Sequence, residues 1–334
     1  MKTGKRTMTL TIVVGLMITV VLPGLVFGAE SGSKVEEGAS QKAVLVTGAS
    51  TGIGRKITEV LAARGVFVYA GARKAQDLKE LDAIENVQGI RLDVTIQDDI
   101  DAAVATITNE GRGLYGLVNN AGVAILAPLI EVEESELDFI FDVNIYGPYR
   151  MTKAFSPLII ESKGRITTIS SISGILSGTF FGPYSMSKHA MEAYSDSLAR
   201  EMGKFDVKVS VVEPGNYSSA IGTTLKKRME AQDIDLEESL YQEEMQAIVD
   251  RVGDRSQYKE PDEVAEAVYH ALFNEAPKMR YMVVPNQKEA EWTIRKAIQE
   301  LVELNQDQAF SYDRDALIQM LDASLAATEN GAVD

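Results

Sequence analysis

Tyr184 and Lys188 stand four residues apart in Tyr184-Ser185-Met186-Ser187-Lys188, within a segment that reads as helical through Arg200. That spacing puts both side chains on one helix face. A phenol titrates ordinarily at about 10, and an ammonium beside it stabilises the phenolate, which suits the hydroxyl to general acid/base work. Taken alone the pair is a weak signal, because surface helices carry Tyr-x-x-x-Lys by chance. A second group has chemistry of another kind: Thr47-Gly48-Ala49-Ser50-Thr51-Gly52-Ile53-Gly54 follows an apolar run and precedes a helical pattern from Arg55 to Arg64. Glycines at 48, 52 and 54 permit a tight turn and close approach of backbone to a pyrophosphate, with Ser50 and Ile53 between them. Unpaired N–H groups and the dipole at a helix N-terminus favour such an anion. The GxxxGxG spacing differs from GxGxxG, and Lys56 does not directly follow a motif glycine, so the P-loop pattern fails. An ordinary glycine-rich turn is the competing reading of this loop by itself.

The end of the next apolar run carries Ala72 and Arg73 where an NAD enzyme would place an acid for the ribose 2′-hydroxyl. A missing carboxylate and a guanidinium suit a 2′-phosphate, so NADP(H) is the expected cofactor, with NAD(H) left open and a solvated strand-end charge as the plain alternative for Arg73. Asp93, followed by Val94, is suited either to accept from an adenine amino group or to cap a turn.

The elements that must position these residues alternate along the chain. Strands are predicted over Ala43 to Thr47, Val66 to Gly71, Gly89 to Asp93, Leu114 to Asn119, Arg165 to Ser170, Val207 to Glu213 and Arg280 to Val284, with helical patterns between them. Seven such strands predict one α/β domain, a doubly wound Rossmann fold with a parallel sheet over residues 42–285. Residues 221–258 interrupt the strand pattern with an acidic, helix-favouring stretch and are expected to form a mobile substrate lid. Trp292, Ile294, Ala297, Ile298, Leu301 and Leu304 have helical spacing, so residues 286–334 are expected to form a C-terminal helical extension. Residues 30–41 are small and charged and read as a linker. Lys2, Lys5 and Arg6 precede an uncharged apolar run, so residues 1–29 are read as a signal peptide or a membrane anchor. The basic residues lie before that run and the acids Glu30, Glu36 and Glu37 after it, which predicts a domain on the non-cytoplasmic face.

Composition excludes several classes. A net charge of −16 argues against a nucleic-acid surface. With no cysteine and two histidines, His189 and His270, there is no disulfide, no thiolate nucleophile and no expected metal site.

The TGASTGIG loop, Asn119-Asn120-Ala121-Gly122, Asn144, Ser171 thirteen residues before Tyr184, Lys188 and Pro214-Gly215 occur in this order. Together they resemble the classical short-chain dehydrogenases/reductases over about residues 42–285, in the style of the steroid and retinol dehydrogenase branch. The resemblance implies a hydride-transferring enzyme for a hydrophobic alcohol or ketone. Tyr184 would move the proton, Ser171 would bind the substrate oxygen, Lys188 would hold the nicotinamide ribose and Asn144 a relay water. Asn120, Ala121 and Gly122 would line the adenosine side, and Pro214 with Gly215 the nicotinamide. Ser170 and Ser173 compete with Ser171, which is chosen by its spacing to the tyrosine. Thr51 departs from the basic residue common in NADP-preferring members, and Asn216-Tyr217-Ser218-Ser219 from the common threonine-bearing form. Phe180, Phe181, Met186 and Tyr217 are candidates to line an apolar pocket, and a homo-oligomer is expected. An extended-type epimerase or dehydratase and a non-catalytic NADP-binding sensor are the competing functions. The sensor would be expected to lack the tyrosine or the lysine.

Overall fold

The computed structural model describes residues 41–231, 236–252 and 257–329. The predicted leader and nearly all of the linker therefore lie outside the described residues. Among the described residues, no helix is long and apolar enough to cross a membrane.

In chain order the elements are β1 (Ala43–Val46), α1 (Gly52–Ala63), β2 (Phe67–Ala72), α2 (Ala75–Asp82), β3 (Val87–Arg91), α3 (Gln97–Glu110) and β4 (Gly116–Asn119). There follow α4 (Glu134–Phe141), a π turn (Asp142–Tyr146), α5 (Gly147–Glu161), β5 (Arg165–Ile169), a short 3-10 turn (Ile172–Gly174), α6 (Gly182–Gly203) and β6 (Lys208–Pro214). The chain continues through α7 (Ile221–Ala231), α8 (Gln242–Val252), α9 (Asp262–Phe273), β7 (Arg280–Val283), α10 (Gln287–Asn305) and α11 (Arg314–Glu329). All seven predicted strands are present in one parallel sheet, ordered β3-β2-β1-β4-β5-β6-β7.

The strand order reverses between β1 and β4, where Leu45 pairs with Leu117. Helices on opposite faces diverge there and leave a crevice beyond the carboxyl ends of the strands, the usual ligand position in open α/β sheets. Alternating side chains feed two cores. Val44, Val46, Val68 and Ala70 meet Ile57 and Leu61 of α1 and Val268 and Leu272 of α9. Leu45, Tyr69, Leu117 and Ile166 meet Ile100 of α3, Phe155 of α5 and Leu198 of α6. Both faces of the sheet are thus covered, which is why its strands read as apolar runs rather than alternating ones.

One predicted element shifts. The third strand runs from Val87 to Arg91, so Asp93 stands beyond its end. The described residues of the predicted lid are mostly helical, and α7 and α8 close a small apolar cluster in which Leu225 and Met245 meet Leu126, Phe180 and Phe181. The predicted C-terminal extension is helical, as α10 and α11.

Candidate active site

The glycine loop leaves β1 at the switch point and is tied to the chain just beyond β4. Thr47 Oγ1 accepts from the backbone N–H groups of Asn120 and Ala121, each at 3.0 Å. Asn120 Nδ2 donates to the carbonyls of Thr47, at 2.9 Å, and Gly48, at 3.1 Å. Asn120 thus braces the loop rather than pointing free into the crevice. Gly48 has φ +64°, and a Cβ there would stand 2.9 Å from Ala121 Cα. A Cβ on Gly54 would lie 2.3 Å from both Gly48 O and Asn120 Nδ2. Only glycine leaves that space, and α1 begins here with no side-chain cap on its first N–H groups. The loop therefore fits an anion at a helix N-terminus, as the pyrophosphate of a dinucleotide requires. Gly52 faces Ser219, a Cβ there coming within 3.3 Å of Ser219 Cα, so the chain after β6 closes over the loop.

At the end of β2, Ala72 is buried and Arg73 is 62% exposed, with Nη1 3.7 Å from Asp93 Oδ2. That contact is too long for a hydrogen bond and leaves the guanidinium able to turn toward a ligand. Asp93 caps a turn through Oδ1, which accepts from Thr95 N at 3.0 Å and Thr95 Oγ1 at 2.8 Å. The side chain of Val94 belongs to the core, where it packs against Gly147 at the start of α5.

The second half of the site gathers on α6. Lys188 is 6% exposed, and its Nζ donates to Ile169 O of β5 at 2.9 Å. Burial lowers its pKa to about 8, with the neighbouring Glu192 carboxylate acting in the opposite direction. The ammonium lies 5.6 Å from the centre of the half-buried Tyr184 ring. Pro183 in the first turn favours the helix start just before this tyrosine. Phe180, immediately upstream, has φ +64°, an uncommon conformation for a bulky residue that turns the chain into α6.

Asn144 sits inside the π turn, the kind of one-residue irregularity that often marks functional helices. Its Oδ1 accepts from Val123 N at 2.9 Å, and its Nδ2 donates to Val123 O at 2.9 Å and Ser187 Oγ at 3.0 Å. Ser187 Oγ in turn donates to Tyr184 O at 2.7 Å. A methyl built on the exposed Gly122 would lie 3.4 Å from Asn144 Oδ1 and 3.8 Å from Lys188 Nζ, so these three positions border one space. Ser171 caps the 3-10 turn, its Oγ accepting from Ser173 N at 3.0 Å, and lies 3.5 Å from Pro214 O. That turn and the π turn both pack on α6. Ser170 is buried, with its Oγ near Gly174 and Glu192 inside the protein.

An ionic cluster ties this half together. Arg280 of β7 meets Glu192 and Asp196 of α6, each at 3.0 Å, and Glu213 of β6 at 2.8 Å. Burial and the adjacent Glu192 push the Glu213 carboxyl up to about 8 despite Arg280. Tyr217, expected as a pocket residue, is instead 1% exposed in the core, its hydroxyl donating to Glu263 Oε2 at 2.6 Å. Met186 is 45% exposed, and Phe180 and Phe181 pack under α7 and α8. The sequence reading missed Thr47, Ser187 and Glu289. The last is a buried carboxylate of α10 whose Oε2 accepts from Asn216 N at 2.8 Å.

Residues 42–230 match the family model described as short chain dehydrogenase. The chain belongs to the short-chain dehydrogenase/reductase family. It is 36% identical over 208 residues to mouse D-beta-hydroxybutyrate dehydrogenase, mitochondrial, covering 58% of this chain and 60% of that relative. It is 32% identical over 253 residues to human retinol dehydrogenase 16, covering 72% of this chain and 80% of that one. Among solved structures, a short-chain dehydrogenase from Streptomyces avermitilis superposes with a TM-score of 0.67 at 30% identity, over 79% of this chain and 95% of the other.

Burial of Lys188 in this short-chain dehydrogenase/reductase has a measurable consequence. Its pKa of about 8 in the folded protein lies below that of an unfolded lysine, about 10.4, so between these values the unfolded chain holds the extra proton. Stability therefore rises with pH across that window, and the contribution is lost as pH falls through 8. Urea unfolding of the wild type and Lys188→Met from pH 7.5 to 9.5 is expected to show this rise in the wild type only. Parallel curves for the two proteins would contradict the burial.

Proposed function

We propose that the protein is an NADP(H)-dependent oxidoreductase that interconverts a hydrophobic secondary alcohol and its ketone, or a related alcohol and aldehyde. The observation that carries this reading is the buried Lys188 ammonium one helical turn from Tyr184, beside Asn144 and Gly122. Gly48, Ser50, Gly52, Ile53 and Gly54 would hold the pyrophosphate, and Asn120, Ala121 and Gly122 would border the adenosine side. Arg73 would bind the 2′-phosphate, Asp93 would accept from the adenine amino group with Val94 beside it, and Pro214 and Gly215 would flank the nicotinamide. The bound cofactor supplies or accepts the hydride. Tyr184 gives its phenolic proton to the oxygen of a carbonyl being reduced and takes it back in the reverse direction. Lys188 stabilises the phenolate left behind, and its hydrogen bond to Ile169 fixes where that charge stands. Ser171 orients the substrate oxygen, and Asn144 connects the site to solvent through a water. Two relatives named for D-beta-hydroxybutyrate and retinol support a CH–OH substrate. The apolar cluster under α7 and α8 supports a hydrophobic one.

The same reading places the chain in a homo-oligomer and at a membrane, on the non-cytoplasmic face, through residues 1–29. Exposed Trp292, Ile294, Ile298 and Leu301 on α10 and Leu321 and Leu325 on α11 offer an apolar surface for self-association. Light scattering and protease protection of membrane fractions check these two points. A monomeric, freely soluble full-length chain would contradict both.

Replacing Tyr184 by Phe keeps the ring and removes the proton. Turnover is expected to fall by roughly 10²- to 10⁴-fold with dinucleotide affinity nearly unchanged, as stopped-flow rates and calorimetric titration would show. A variant within a few-fold of the wild type would reject Tyr184, and the loss also separates this enzyme from a dinucleotide sensor. For the cofactor, kcat/KM in the wild type is expected to favour NADPH over NADH. Ala72→Asp combined with Arg73→Ser is expected to reverse the order, by removing charge-assisted bonds to the 2′-phosphate and offering a 2′-hydroxyl an acceptor. A wild type that prefers NADH would assign NAD(H) instead.

A further inference from the structure

Asn286 opens α10 with its Oδ1 accepting from Glu289 N at 3.0 Å, the first half of a capping box. In a simple box the glutamate turns back to the backbone N–H of the capping residue. Glu289 does something else. Its Oε1 accepts from Asn286 Nδ2 at 3.0 Å, and its Oε2 accepts at 2.8 Å from the backbone N–H of Asn216, 73 residues upstream. The residue is 6% exposed, so its carboxylate is withdrawn from water, which costs free energy unless the group is held by hydrogen bonds.

The carboxylate is also why residue 215 is glycine. A Cβ on Gly215 would fall 2.2 Å from Glu289 Oε2, 3.0 Å from Val284 Cγ1 and 3.1 Å from Pro285 Cδ. The acid of α10 therefore fills the space that a side chain would take, and the turn after β6 closes around it. Gly215 N donates to Val283 O at 2.8 Å, and Ser218 N to Lys259 O at 2.8 Å. Of the two N–H groups between them, that of Tyr217 donates back to Gly215 O at 3.1 Å, and that of Asn216 is the one the C-terminal extension reaches. A role confined to starting α10 would not need this bond, because Asn286 already caps the helix.

We infer that Glu289 is a positioning residue: it sets the Pro214–Asn216 turn, and through that turn the seat of the nicotinamide half of the cofactor. The inference rests on the dinucleotide reading above. It gives the C-terminal extension a part in the site, since α10 is the element that brings the carboxylate to the turn.

Calorimetric titration of the full chain with NADPH and with adenosine 2′,5′-bisphosphate separates the two halves of the ligand. The bisphosphate carries the adenosine and 2′-phosphate, which this reading places at β2 and the glycine loop. Glu289→Ala is expected to bind the bisphosphate like the wild type and to lose about tenfold in affinity for NADPH, the scale of one hydrogen bond to a charged acceptor. Glu289→Gln, which keeps an acceptor for Asn216, is expected to recover most of that loss. Thermal melts compare these variants with Asn286→Ser, which keeps an oxygen cap on α10. Unchanged NADPH affinity in Glu289→Ala, or an equal loss for both ligands, would overturn the inference and leave Glu289 a structural staple. A wild type that binds neither ligand would instead overturn the cofactor reading, and the inference with it.

Discussion

One buried ammonium constrains much of this molecule. Lys188 is enclosed between α6 and the end of β5, where desolvation works against its charge, and the carbonyl of Ile169 is the hydrogen-bond partner that fixes its head. Burying a cation costs several kcal/mol before compensation. The surroundings supply it in layers: Ile169 O in contact, Glu192 one turn along the helix, and Arg280 holding Glu192 and Glu213 behind it. Removing the cluster would take away the ion pairs that tie α6 to β6 and β7. The lysine would then be held less firmly against the carbonyl of Ile169.

The rest of the fold brings the other components to that point. Strand order reverses at β1 and β4, so the glycine loop and the Asn119–Gly122 segment emerge side by side. Thr47 and Asn120 lock them with four hydrogen bonds, leaving the loop backbone rigid. The π turn adds the irregularity that lets Asn144 reach across to Ser187. The chain beyond β6 is pinned from α9 through Tyr217 and Glu263 and from α10 through Glu289. Rigid framing of this kind keeps reacting groups in place without reorganisation at the moment of reaction.

Much of this was legible in the sequence for physical reasons. Apolar runs between helical patterns mark strands covered on both faces, and all seven strands are present, the third beginning two residues earlier than predicted. The glycine loop and the Tyr184–Lys188 spacing depend only on neighbours in the chain, so local reading suffices for them. What escaped depends on long-range contact. Glu289 is far from Asn216 in sequence, and only the Asn286-x-x-Glu289 capping pattern hinted that this acid faces inward. Tyr217 looked like a pocket aromatic because its neighbours flank the site, yet Glu263 and the core claim it. Asp93 could cap or bind, and the structure shows the cap, on Oδ1.

The most direct test of the account is a single-turnover transfer experiment. NADPH deuterated at one face of nicotinamide C4 would be mixed with excess protein and a set of alkyl, steroid and retinoid carbonyls, with products read by mass spectrometry. The account predicts deuterium on the carbinol carbon of a hydrophobic product, from one face of the cofactor only. Tight NADPH binding with the label retained on the cofactor throughout would contradict it.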